Sequence, residues 1–129
     1  MATIQKFEDL QIWQLARELC NDIFKLIVET ELKVDYKLKE QINGSSGSIM
    51  DNIAEGFERD GTKEFHNFLS IAKASCGETR SQLYQIFDRN YISGKEFELL
   101  KEKTILISRK IGAFMSYLRN NEFRGNKYK

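Results

Sequence analysis

Apolar residues recur along this chain at alternating intervals of three and four, the signature of helices that bury one face. The cleanest run is Phe97, Leu100, Thr104, Ile107, Ile111, Phe114 and Leu118, which keeps a 3-4-3-4-3-4 spacing without a break. It predicts a helix over about 94–120, opened by Ser93-Gly-Lys-Glu96, a capping box in which serine and glutamate satisfy each other's backbone donors. Phe65, Phe68, Leu69, Ala72, Cys76, Thr79, Leu83 and Ile86 predict another over about 62–88, with Thr62 as its N-cap. Leu38, Ile42, Ile49, Ile53 and Phe57 mark a helix over about 36–58. The first helix, about 8–31, carries two neighbouring stripes. One is Trp13, Ala16, Cys20, Ile23 and Ile27; the other is Ile12, Leu15, Leu19 and Leu26.

Four long helices joined by short turns run antiparallel, so residues 1–120 are expected to form one all-α, up-down-up-down four-helix bundle. Residues 121–129 are expected to follow as a polar, basic tail. Two features leave alternatives open. The double stripe of the first helix suits either deep burial or a further surface covered by another subunit. Gly44-Ser-Ser-Gly47 reads either as a loop splitting the second helix or as part of it. Each glycine there costs about 1 kcal/mol relative to alanine, and close helix–helix approach is the usual compensation.

Composition sharpens this picture. Proline is absent from the 129 residues, where average usage predicts about six, and its absence favours unbroken helices. With 41% hydrophobic and 30% charged residues, the chain suits amphipathic helices. No apolar run approaches a membrane span, and the opening residues lack a signal-peptide core, so a cytoplasmic location is expected. The net charge of +1 does not announce a nucleic-acid binder, but its distribution is uneven. Residues 94–129 hold nine basic and four acidic side chains.

Catalytic chemistry has little to draw on. The single histidine, His66, stands alone, and Lys63 occupies the position where a di-iron bundle needs glutamate. Ligand counts for zinc fail, no phosphate-binding loop is present, and no cofactor is expected. Cys20 and Cys76 lack the spacing of metal or redox motifs and read as free buried thiols, with a disulfide as the alternative. The richest polar pattern is Gln41, Ser45, Ser48, Asn52 and Glu55, a 4-3-4-3 row beside the apolar stripe of the second helix. It is either a hydrogen-bonded packing network between helices or subunits, or a solvated flank. Towards the C-terminus, Arg109, Lys110, Arg119, Arg124 and Lys127 interleave with Tyr117, Phe123 and Tyr128. That combination could neutralise phosphates and stack on unpaired bases.

A longer pattern covers nearly the whole length of the chain. Phe7-Glu-Asp-Leu10 with Ile12-Trp13 opens it, and Tyr36-x-Leu38-x-x-Gln41 leads into Ser48-Ile49-x-x-Asn52-Ile-Ala-Glu-Gly56. Arg59, Glu64-Phe65-x-x-Phe68-Leu69-x-x-Ala72-x-x-Ser75 and Glu78 complete it. In these blocks the chain resembles the four-helix bundle proteins encoded in bacterial 23S rRNA intervening sequences. Asn43 and Gly44 stand where that family often has arginines. The resemblance implies that the second helix runs unbroken through Gly44–Gly47. It also extends to the accessory proteins of diversity-generating retroelements, which form homopentamers and associate with nucleic acid. The chain is therefore expected to be a non-enzymatic homo-oligomer, five-fold by this resemblance. Its expected partners are copies of itself and RNA or a nucleic-acid-associated protein. The alternative is a protein-binding adaptor with no nucleic-acid role.

Overall fold

The computed structural model describes residues 4–121. Among these, four α-helices account for nearly all regular structure and no strand occurs: α1 (Gln11–Glu29), α2 (Tyr36–Glu58), α3 (Thr62–Asp88) and α4 (Gly94–Asn120). Two 3-10 turns, Phe7–Asp9 and Glu31–Val34, flank α1. Each helix packs on the next, and α1 closes the bundle against α4.

The first helix is shorter than the expected 8–31, for local reasons at both ends. Leu10 is extended, and Gln14 Nε2 reaches back to the Glu8 carbonyl at 2.8 Å. At the other end Thr30 turns extended; its hydroxyl donates to the Leu26 carbonyl at 2.8 Å and accepts from Leu32 N at 3.2 Å. One side chain thus closes α1 and opens the following turn. The buried seam of α1 is Ile12, Ala16, Leu19, Ile23 and Leu26, joined by Ile27. It threads between the two stripes read from sequence, leaving Trp13, Leu15 and Cys20 half-buried on its flanks.

Helix α2 is continuous through Gly44–Gly47, so the loop reading does not apply. Its glycines have different reasons to be there. A Cβ on Gly56 would sit 2.7 Å from Phe68 Cβ and 3.0 Å from Phe65 Cδ1, closer than atoms can approach. Gly44 and Gly47 have nothing within 4 Å of that position. Close approach therefore explains Gly56 alone, and within the single chain nothing offsets the other two.

The turns follow specific chemistry. Gly61, at φ +96°, precedes α3 as its N-cap. Thr62 is the first helical residue, and no side-chain bond caps this end, which corrects the assignment of Thr62 as the cap. The three-residue turn between α2 and α3 needs a left-handed residue there, and glycine adopts that conformation without strain. After α3, Asn90 (φ 62°) takes the left-handed position of a Schellman motif. Tyr91 N bonds the Ile86 carbonyl at 3.1 Å and Asn90 N bonds the Phe87 carbonyl at 2.9 Å, satisfying carbonyls of the last turn. The Ser93–Glu96 capping box forms as the sequence predicts, with Glu96 N to Ser93 Oγ at 3.1 Å.

One polar clamp ties two turns together at this end of the bundle. Asp35 Oδ2 accepts from Arg89 Nη1 at 2.6 Å and from Tyr91 Oη at 2.8 Å. These bonds, Tyr91 first, hold the Asp35 carboxyl below the usual carboxylate range. The bond to Asp35 also pushes the Tyr91 phenol up.

Gly44→Ala and Gly47→Ala should each stabilise the isolated fold by about 0.5–1 kcal/mol. Gly56→Ala should instead cost about 1–3 kcal/mol through overpacking against Phe65 and Phe68, read as urea midpoints at unchanged slope. For Asp35, the folded form favours the carboxylate, so its contribution is complete above the unfolded carboxyl value of about 3.9. That contribution fades as pH falls through the lower folded value. The difference in Tm between the native chain and Asp35→Asn should be constant from pH 7 to about pH 5 and shrink in more acidic buffer.

Candidate functional site

The polar row of α2 meets a matching row on α3. Ser45 Oγ donates to Gln82 Oε1 at 2.5 Å and accepts from Thr79 Oγ1 at 2.9 Å. Thr79 Oγ1 also lies 2.9 Å from the Ser75 carbonyl. One turn further along α2, Ser75 Oγ donates to Ser48 Oγ at 3.0 Å, while Asn52 Nδ2 donates to the same oxygen at 2.9 Å. Asn52 also reaches the Ser48 carbonyl at 2.8 Å. Ser45, Ser75, Thr79 and Gln82 are buried, and no buried side-chain polar atom among the described residues lacks a partner. Such a seam fixes which residues of α2 and α3 face each other, because any shift would strand hydroxyls away from water.

Of the five residues singled out in sequence, three enter this seam: Ser45, Ser48 and Asn52. Glu55 pairs instead with Arg59 at 2.9 Å on the surface, and Gln41 is exposed. The α3 half of the seam is missing from the sequence reading, which assigned Thr79 to the apolar face and left Gln82 unremarked. A signal was available: Ser75, Thr79 and Gln82 have the same 4-3 spacing as the α2 row.

The basic residues of α4 do not share one face. Lys110 Nζ turns to α1 and bonds Gln11 Oε1 at 3.2 Å, whereas Arg119 Nη1 turns to α3 and lies 2.8 Å from His66 Nε2. A guanidinium only donates, so His66 Nε2 is the acceptor. Arg109 is exposed between these directions, beside Ile105 and Leu106. Arg124 and Lys127, with Phe123 and Tyr128, lie outside the described residues.

The remaining chemistry is quiet. Cys76 is buried and its thiol is pushed up to about 12, chiefly by burial. Cys20, half-buried against Ser46 of α2, is raised for the same leading reason. Both thiols are free and protonated at neutral pH, the unreactive form. Among the described residues no cluster of His, Cys, Asp or Glu could hold a metal ion, and no helix is long and apolar enough to cross a membrane. A groove of about 400 Å³ between α1 and α4 has Leu26, Leu99 and Leu100 on its walls. Its rim mixes charges, and Lys103 bridges it to Asp22. No nucleophile and base converge there.

The seam can be tested directly. Thr79→Val leaves buried Ser45 short of a donor and should cost about 1–3 kcal/mol. Combining it with Ser45→Ala should cost less than the sum of the single changes, because the orphaned group is removed. A double-mutant cycle in urea measures the difference.

Comparison with known proteins places the fold. No curated protein matches the chain. A crystal structure of a protein of unknown function from the S23 ribosomal protein family of Bacteroides thetaiotaomicron superposes with a TM-score of 0.73 at 24% identity, covering 81% of this chain and 97% of that one. At that identity the likeness speaks for the four-helix architecture. The sequence profile of the 23S rRNA-intervening sequence proteins matches residues 8–113, most of the bundle from the first turn to late α4. The chain belongs to the 23S rRNA-intervening sequence protein family.

Proposed function

We propose that this chain is a non-enzymatic assembly module, a bundle that associates with copies of itself and presents a repeated surface to RNA or a ribonucleoprotein. The observation that carries the self-association is the exposure of Phe24 (62%) and Val28 (49%) on α1. They follow Cys20 at i+4 and i+8. Cys20 lies against α2, and each such step turns the side chain about 40° further outward. On α4, Leu99 (58%) and Leu106 (44%) are exposed on a different side of the bundle.

Two unlike apolar patches on different sides of one subunit favour a head-to-tail contact, in which the patch of one copy meets the other patch of the next. Such contacts close into rings when the rotation allows. Five-fold closure is the count suggested by the resemblance to the retroelement accessory proteins. The open α2 surface at Gly44 and Gly47 also agrees with a covered face, since small residues let a neighbouring helix approach closely. RNA contact is supported by the surplus of basic residues on α4.

Light scattering on the purified chain, with the absorbance ratio of nucleic acid to protein read across the same peak, tests both parts. The expected mass is a multiple of the 15.1 kDa chain. Phe24→Glu with Val28→Glu should reduce it to one chain while leaving the helical circular dichroism intact. A native chain that runs as a monomer at tens of micromolar would overturn the assembly reading.

A further inference from the structure

The cations that the fold brings together are not those that the sequence clusters. Contacts along the α3–α4 interface fix its register: His66 meets Arg119 at 2.8 Å, and Tyr84 carries Lys101 above its ring at 5.9 Å. Between these points the Lys73 stem leans across α4, its Cε 3.3 Å from where a Cβ on Gly112 would stand. Residue numbers in opposed pairs sum to the same value, as antiparallel helices require. Arg80, seven residues after Lys73, returns to nearly the same flank. Lys73, Arg80 and Arg119 therefore line one side of the bundle over about 27 Å from His66 to Tyr84.

Three properties set this strip apart. Among the described residues neither Lys73 nor Arg80 makes an ion pair, and Arg119 meets the His66 ring rather than a carboxylate. Lys101 is the compensated member, paired with Glu98 at 3.3 Å. The floor is low: Gly77 has nothing within 4 Å of a Cβ position, and Gly112 accommodates only the Lys73 stem. At one end stands an aromatic group in which Phe87 stacks on Phe97 at 4.7 Å and Tyr84 meets Phe97 edge-on at 4.8 Å. Tyr84 is 45% exposed and Phe87 36%. Core packing needs Phe97 buried; it does not need two further rings in solvent.

We propose that the α3–α4 groove binds single-stranded RNA, with Lys73, Arg80 and Arg119 on the phosphates and the exposed faces of Tyr84 and Phe87 stacking on bases. Spaced cations on a low floor suit a flexible phosphate backbone, and stacking rings need unpaired bases. Ser108, seven residues after Lys101 and so nearly on the same flank of α4, supplies a hydroxyl for the 2′-OH that distinguishes RNA from DNA. The assignment rests on the RNA part of the function proposed above and gives it a location on α3 as much as α4.

Fluorescence anisotropy of a labelled 20-nucleotide RNA with the full chain tests it. The native chain should bind, with log affinity falling against log salt at a slope of about −2, from roughly −0.7 per neutralised phosphate on a single strand. Lys73→Gln with Arg80→Gln should weaken binding at least tenfold and reduce the slope to about −0.7. Tyr84→Ala should weaken it about fivefold or more. Lys110→Gln, on the α1 side, should change it less than twofold, and the charge-preserving pair Lys73→Arg with Arg80→Lys should bind as the native chain does. Absence of RNA binding by the native chain overturns both this site and the RNA reading. Native-like binding by the double glutamine variant overturns the groove while leaving RNA contact elsewhere. Equal affinity for single-stranded DNA of the same sequence overturns the RNA assignment, and equal affinity for polyglutamate overturns the nucleic-acid one in favour of an acidic protein.

Discussion

Helices α2 and α3 meet through two opposite devices, and the rest of the bundle is arranged around their junction. At one end Gly56 lets the Phe65 and Phe68 side chains come against the α2 backbone, so the helices are held close by the absence of a side chain. Towards the other end the contact is polar: Ser45, Thr79 and Gln82 exchange hydrogen bonds in the interior. A purely apolar interface tolerates small slides between helices, because dispersion and burial are nearly non-directional. Buried hydroxyls do not, since each must find its partner. The glycine sets the separation and the hydroxyls set the register. Together they orient α3, whose other flank then faces α4 with Lys73, Arg80 and Tyr84 towards the groove.

The bundle carries its electrostatics in the same way. Its charge is nearly balanced, and most ion pairs among the described residues are largely exposed contacts of the kind that contribute little to stability. What matters is which cations the helix rotation leaves without a partner. Arg109, Lys110 and Arg119 are close in sequence, yet a helix turns about 100° per residue and sends them in three directions. Lys73 and Arg80 are distant from Arg119 in sequence and lie along the same strip. Surface potential depends on that spatial sorting, while the sequence count of charges does not.

Much of the fold was legible in advance because helix period is a local property. The α4 seam, apart from Phe114, whose buried place Met115 takes, the Ser93–Glu96 cap and the length of α2 and α3 follow from residues within a few positions of one another. The errors are local competitions too. Thr30 ends α1 early through its own hydroxyl, and Gly61 takes the cap position that Thr62 could have filled. The site was less legible. Three of five α2 polar residues enter the seam, and Glu55 is drawn away by Arg59, its neighbour one turn on. Thr79 looked apolar by spacing, since a threonine whose hydroxyl bonds across helices occupies the same register as a core residue.

By itself the sequence determined the four helices and their antiparallel order, because periodicity, capping and turn chemistry act over short stretches of chain. Only the tertiary structure decided that Gly56 is a contact while Gly44 and Gly47 face open space. It alone paired Ser45 with Gln82, and aligned Lys73 and Arg80 with Arg119. The physical reason is that packing distance, hydrogen-bond partnership and the clustering of charge depend on the rotation and separation of one helix relative to another, which no single helix encodes.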